Sequence, residues 1–172
     1  MPKEKESVQS IEDLIKSGAI KRGNDPEFGY TRIPFGIPVL DRLLGGGIPK
    51  KRMTLFTGPT NSGKSYLASQ VAVSVQKAGG KALWIDTEMS WDAAWMKRCG
   101  INVENILVAQ PGTAEEVFDL IKTAMKQAAD VIVLDSIAGL TPVSIQEENF
   151  SYNPIAWQAR FVNSALPKML PY

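Results

Sequence analysis

A glycine-rich segment in the first half of the chain carries the residues whose chemistry is most readily interpreted. Residues 58–65 follow the pattern G-x-x-x-x-G-K-[ST], in which glycines let backbone N–H groups close around phosphate oxygens. A helix beginning at Gly63 would add the positive end of its dipole, Lys64 would reach the β- and γ-phosphates, and the Ser65 hydroxyl would ligate Mg²⁺. The segment therefore predicts a site for ATP and Mg²⁺, with contacts expected from Gly58, Pro59, Thr60, Asn61, Ser62, Gly63, Lys64, Ser65 and Tyr66.

Acidic residues follow two of the predicted strands. Asp135 comes directly after the apolar run 131–134, and an acid at the carboxyl end of such a strand projects into the crevice where open α/β sheets bind ligands. Beside a phosphate-binding loop, Asp135 is expected to hold Mg²⁺, through a water molecule. Hydrolysis of ATP also needs a carboxylate that polarises the attacking water. Glu88, just beyond the strand 81–86, is the favoured candidate, with Asp86 as its competitor.

Strands and helices alternate along the chain around these residues. The pattern predicts helices at 38–44, after Lys64, at 91–98 and after Thr113, where Thr113 and Glu116 form a capping box. It predicts strands at 53–57, 81–86, 106–109 and 131–134, and a helical segment at 156–170. Because the strands are apolar on both faces, the expected fold is α/β: a P-loop NTPase core with a mostly parallel sheet flanked by helices.

Composition limits the possible functions. The chain has 172 residues, of which 44% are hydrophobic and 22% charged, with a net charge of +1, as in ordinary globular proteins. It contains no histidine, which excludes a Ser-His-Asp triad and any His-ligated metal site. The single cysteine, Cys99, excludes an internal disulfide. With no long apolar run and a charged N-terminus, the expectation is a cytoplasmic protein without a membrane partner.

The sequence suggests one domain preceded by an N-terminal appendage. Residues 1–30 are interpreted as an N-terminal helical arm or appendage, in which Ser10 caps a short helix that ends near Gly18. This piece could be a packed lid, a frayed terminus or an arm that docks on a neighbouring subunit. Residues 31–172 are interpreted as the ATPase core. Four evident strands are few for this architecture, so a C-terminally incomplete core is expected.

Several segments together resemble the RecA recombinase family. They are the run 35–49 with its Leu-Asp-x-x-Leu-Gly-Gly-Gly element, the P-loop, Ile85-Asp86-Thr87-Glu88, and the run 131–142 that ends in Thr141-Pro142. They occur in the family's order and at similar separations, from about residue 32 to the end of the chain. The element before the P-loop and the segment 135–142 are the most specific, because generic P-loop ATPases lack both.

The resemblance implies further roles for residues of this chain. It implies that Glu88 activates the attacking water and that Asp92 and Trp95 contact the adenine, although Trp95 could equally be a core residue. It also places a DNA-binding loop near residues 146–154. There Phe150 and Tyr152 offer stacking surfaces and Arg160 is the nearest downstream base, but Glu147 and Glu148 oppose phosphate, so a plain surface loop is an equal alternative.

The resemblance makes a DNA-dependent ATPase the leading functional hypothesis, as the core of a recombinase that forms filaments on single-stranded DNA in recombination and repair. One alternative is a ring-forming ATPase of the same fold, either a replicative helicase-like motor or a clock-type ATPase. Another is a fragment that binds nucleotide without activity.

Overall fold

The fold is taken from a computed structural model, and the residues described are 10–143 together with 159 and 163. The chain divides into two compact units, with the boundary between Thr31 and Arg32. Phe150, Tyr152 and Arg160 lie outside the described residues. The predicted helix at 156–170 also lies outside them, apart from residues 159 and 163.

Within residues 10–31, the described part of the first unit, there are one short α-helix and one 3₁₀ helix. Helix α1 spans Ile11–Lys16, and the side chain of Ser10 accepts the Asp13 N–H at 3.1 Å. Gly18 follows it with a φ of +77°. The 3₁₀ helix, Pro26–Phe28, is capped in the same way by Asp25. The predicted helix capped by Ser10 is therefore confirmed.

The second unit begins with a short antiparallel strand pair that frames a helix. Strands β1 (Arg32–Ile33) and β2 (Ile48–Pro49) pair on either side of helix α2 (Pro38–Leu43). The Asp41 carboxylate accepts the Phe35 N–H at 2.7 Å. Gly47 has a φ of +112°, and a Cβ there would lie 2.0 Å from the Ile33 carbonyl oxygen. The Leu-Asp-x-x-Leu-Gly-Gly-Gly element therefore needs its aspartate and its last glycine to close this segment.

A three-stranded parallel sheet forms the centre of the second unit. Strand β3 (Ala82–Asp86) lies between β4 (Ile106–Ala109) and β5 (Val131–Asp135), and Asp86 is in register with Asp135. Every residue of β3 is buried, whereas β5 is half-buried. In the edge strand β4, Leu107 is 66% exposed. Burial on both faces, which was expected of all the strands, holds among the described strands for β3 alone.

Helices cover both faces of this sheet. Helix α3 (Lys64–Lys77) and helix α4 (Ala93–Arg98) pack on the face that carries Ala82 and Trp84, while helix α5 (Ala114–Lys126) packs on the face of Leu83 and Ile85. This arrangement follows from the alternation of side chains along β3. It confirms the predicted α/β fold. None of the described helices is long and apolar enough to span a membrane.

The predicted strand at 53–57 is wrong. These residues form no strand, and the side chains of Met53 and Leu55 are 49% and 69% exposed. A strand needs a hydrogen-bonded neighbour, and within the described part of the chain β5 pairs with β3 alone. Apolar composition made the segment suitable for a strand, but no described strand pairs with it.

Candidate nucleotide-binding site

The P-loop ends where helix α3 begins. Gly63 is the N-cap residue, with a φ of +88°, and no side chain caps the helix. The first main-chain bond of the helix joins the Leu67 N–H to the Gly63 carbonyl at 2.9 Å. The amides of the first turn are therefore free to donate to an anion, and the helix dipole favours negative charge at the same point.

The Lys64 side chain lies against the P-loop itself. Its ammonium donates to the Gly58 carbonyl at 3.0 Å and to the Pro59 carbonyl at 2.8 Å. An ammonium is a compact cation with three donors and can exchange carbonyl partners for phosphate oxygens at little cost in geometry. The loop therefore places one positive charge beside the uncapped end of α3.

The two acidic candidates at the carboxyl end of β3 differ sharply in environment. Asp86 is 1% exposed, while Glu88 lies on the surface. Asp86 accepts hydrogen bonds from the Glu88 N–H at 3.2 Å, the Trp91 N–H at 2.9 Å, the Gln110 amide at 2.8 Å and the Ser90 hydroxyl at 3.4 Å. A carboxylate with this many donors has no oxygen left for a water molecule, so it holds the turn after β3 in place.

The pKa of Asp86 follows from the same contacts. Burial acts to raise the pKa, but the hydrogen bonds from Gln110, Ser90, Trp91 and Glu88 outweigh it and lower the pKa below the ordinary 3.8. Asp86 therefore stays ionised at neutral pH although it is buried. Of the two candidates for the water-activating role, Glu88 is the one whose side chain reaches the surface, so it remains the favoured candidate.

Glu88 contacts the end of the neighbouring strand. The Ser136 hydroxyl donates to Glu88 Oε1 at 2.5 Å. Thr87 and Ser136 exchange two more bonds: the Thr87 hydroxyl donates to the Ser136 carbonyl at 2.6 Å and accepts the Ser136 N–H at 3.0 Å. The peptide bond between Asp135 and Ser136 is cis. The three hydrogen bonds between Thr87 or Glu88 and Ser136 join the turns after β3 and β5 directly, beside Asp135.

Asp92 and Trp95 lie at the start of α4. Asp92 Oδ1 accepts the N–H groups of Ala94 at 2.8 Å and of Trp95 at 3.2 Å, so Asp92 caps the helix. Trp95 is 47% exposed, and the Arg98 guanidinium lies 5.5 Å from its ring centroid. The alternative of a core role for Trp95 is wrong, because its ring is not enclosed by apolar side chains.

The oxygen atoms expected to bind Mg²⁺ come from Ser65, in the first turn of α3, and Asp135, at the end of β5. Hydroxyl and carboxylate oxygens suit Mg²⁺, which keeps several waters and takes few protein ligands. No group of three or more His, Cys, Asp or Glu residues capable of holding a metal occurs within the described residues. The chemistry of these two side chains fits the ion.

The sequence matches the RecA N-terminal domain over residues 3–171. The chain belongs to the RecA family. It is 38% identical over 165 residues to Protein RecA of Herpetosiphon aurantiacus, covering 95% of this chain and 46% of that protein. It is 39% identical over 166 residues to Protein RecA of Sulfurimonas denitrificans, covering 95% of this chain and 48% of that protein. It is 37% identical over 166 residues to Protein RecA of Thermus aquaticus, covering 95% of this chain and 49% of that protein. The chain spans about half the length of these curated relatives.

Three contacts of this RecA-family domain were not found by reasoning from the sequence. They are the hydrogen bond from Ser136 to Glu88, the pair of bonds between Thr87 and Ser136, and the hydrogen bond from Gln110 to Asp86. Each joins residues from different strand ends. The signal available was the placement of polar residues directly after three apolar runs, because the carboxyl ends of parallel strands meet at one edge of a sheet.

Proposed function

We propose that this chain binds ATP with Mg²⁺ and hydrolyses it, as the ATPase core of a recombinase that assembles on single-stranded DNA. The observation that carries the proposal is the uncapped N-terminus of α3 directly after the P-loop. It combines free backbone donors, a helix dipole and the Lys64 ammonium in one place. Membership of the RecA family adds the expectation of an ATPase domain.

The P-loop residues, Gly58 to Ser65, and Tyr66 would surround the phosphates. Lys64 would exchange its carbonyl partners for phosphate oxygens and so stabilise the charge that develops on them during transfer. Ser65 and Asp135 would hold Mg²⁺, which neutralises phosphate charge when bound. Asp92 and Trp95 would contact the adenine: the exposed indole offers a stacking surface, and the Asp92 carboxylate keeps acceptor capacity beyond its two capping bonds.

Glu88 is the proposed general base. Oε1 accepts from Ser136, and Oε2 accepts no hydrogen bond from a described residue. A carboxylate with one oxygen held and the other open can orient a water molecule and take up its proton.

The DNA-binding part of the proposal rests on the family resemblance. Phe150, Tyr152 and Arg160 remain the predicted contacts, through stacking and charge. Assembly into filaments, a cytoplasmic location and the division into a 1–30 arm and a 31–172 core likewise remain proposals. The chain spans only about half the length of its curated relatives, so the activity of the whole protein is likewise a proposal.

The test is to measure ATP binding and turnover with and without a single-stranded oligonucleotide, over a range of salt concentrations. Saturable Mg²⁺-dependent ATP binding with slow turnover, stimulated by the oligonucleotide, supports the full proposal. Binding with no turnover would leave a nucleotide-binding domain without activity. Failure to bind ATP in the presence of Mg²⁺ would contradict the proposal.

A further inference from the structure

The hydrogen bond between the Ser136 hydroxyl and the Glu88 carboxylate has a defined direction. Its oxygen accepts the Ala138 N–H at 3.1 Å, and it lies 2.5 Å from Glu88 Oε1. An ionised carboxylate can only accept, so the hydroxyl must donate to it. A separation of this size is typical of a charge-assisted O–H···O⁻ bond, which is roughly twice as strong as a neutral one.

The Ser136 backbone is itself fixed from the opposite strand. Thr87 donates to its carbonyl at 2.6 Å and accepts its N–H at 3.0 Å, and the Thr87 N–H donates to the Asp135 carbonyl at 3.0 Å. Gly139 packs so closely on this contact that a Cβ would lie 2.5 Å from Thr87 Oγ1. Ser136 therefore cannot shift without disturbing the end of β3.

An exposed glutamate at the surface of a turn normally samples several rotamers, and fixing a long side chain costs conformational entropy. Here the turn that carries Glu88 is held on one side by the buried Asp86 and on the other by Thr87. The bond from Ser136 restricts the remaining freedom of the carboxylate.

We infer that Ser136 is a positioning residue for Glu88, holding Oε1 so that Oε2 faces the attacking water, and that Thr87 holds Ser136 for this purpose. The role in hydrolysis rests on the proposed function, whereas the contact between the two side chains does not. Such positioning affects the chemical step and leaves the phosphate-binding loop unchanged.

The kinetic test compares Ser136→Ala with Ser136→Thr, which keeps the hydroxyl. Loss of one hydrogen bond to a charged group should lower kcat about 10-fold and leave KM for ATP unchanged, whereas Ser136→Thr should restore most of kcat. A general structural role would instead lower the thermal midpoint and alter KM. Unchanged kcat in Ser136→Ala would overturn the inference.

A second measurement needs no nucleotide. Carbodiimide labelling of carboxylates, read by mass spectrometry, should modify Glu88 faster in Ser136→Ala than in the wild type or Ser136→Thr, while the exposed Glu104 is labelled equally in all three. If Ser136→Ala does not fold, Ser136→Cys takes its place, since a thiol is a much weaker donor. Equal labelling rates of Glu88 in all variants would show that Ser136 does not hold the Glu88 carboxylate and would overturn the inference. Absence of turnover in the unsubstituted chain would count against the proposed hydrolysis, and the labelling would then decide the inference alone.

Discussion

The side-chain amide of Gln110, at the end of β4, donates a 2.8 Å hydrogen bond to the buried carboxylate of Asp86, at the end of β3. The two residues are 24 positions apart and meet because β3 and β4 run parallel and end at the same edge of the sheet. The same carboxylate accepts the N–H groups of Glu88 and Trp91. Asp86 thus connects the neighbouring strand to the turn that carries the proposed general base.

Asp86→Asn should destabilise the domain by about 2–3 kcal/mol at neutral pH, because the amide replaces an acceptor oxygen with a donor that faces other donors. The folded-state pKa of Asp86 is lowered below 3.8, so its stabilising contribution is present above that pH and is lost as the pH falls through the folded pKa. Urea unfolding at several pH values measures the free energy of unfolding of both proteins. The difference in this free energy between wild type and Asp86→Asn should become smaller below pH 3.8. The exposed Asp119→Asn is the control, and equal stability of Asp86→Asn at pH 7 would contradict the prediction.

Lys64→Ala should weaken ATP binding by about 10- to 100-fold, the effect of losing charge-assisted bonds to phosphate. Its thermal midpoint without nucleotide should change little, since among the described residues the Lys64 ammonium bonds only to the carbonyls of Gly58 and Pro59. Isothermal titration calorimetry with Mg·ATP measures the affinity. Lys77→Ala, at the exposed far end of the same helix, removes an equal charge and should bind normally. Wild-type affinity in Lys64→Ala would exclude the P-loop as the phosphate site.

Glu88→Gln should retain ATP affinity and lose turnover by about 10²- to 10⁴-fold, the usual contribution of a general base. The neutral amide keeps the size of the side chain but cannot take a proton. Phosphate release and nucleotide binding, measured on the same preparation, separate the two effects. The exposed Glu104→Gln serves as the matched control, and an active Glu88→Gln would require another base.

Gly139→Ala should destabilise the domain by about 1–3 kcal/mol, as expected for overpacking. The new Cβ would lie 2.5 Å from Thr87 Oγ1 and 2.7 Å from the Thr87 carbonyl oxygen. This steric overlap can be relieved only by separating the turns after β3 and β5. Chemical unfolding measures the change. At Gly112 a Cβ would meet its nearest neighbour at 3.9 Å, so Gly112→Ala should be close to wild type; similar stabilities for the two variants would argue against the close packing at Gly139.

Local patterns in the sequence were sufficient for most of the fold, whereas the roles predicted for the site residues remain proposals. The capping box of Thr113 and Glu116 was found with the predicted reciprocal bonds, because it involves only neighbours along one helix. The P-loop likewise lies at the start of α3, where the spacing of apolar residues requires a helix.

Tertiary structure alone decided which residues meet and which segments are covered. Residues 53–57 are apolar enough for a strand, but strand formation depends on a partner that is distant in sequence, and no described strand pairs with them. Similarly, Ser136 and Glu88 are 48 positions apart, and each has an ordinary local setting. They touch because β3 and β5 pair in the register that sets Asp86 opposite Asp135, and a register is a property of the assembled sheet.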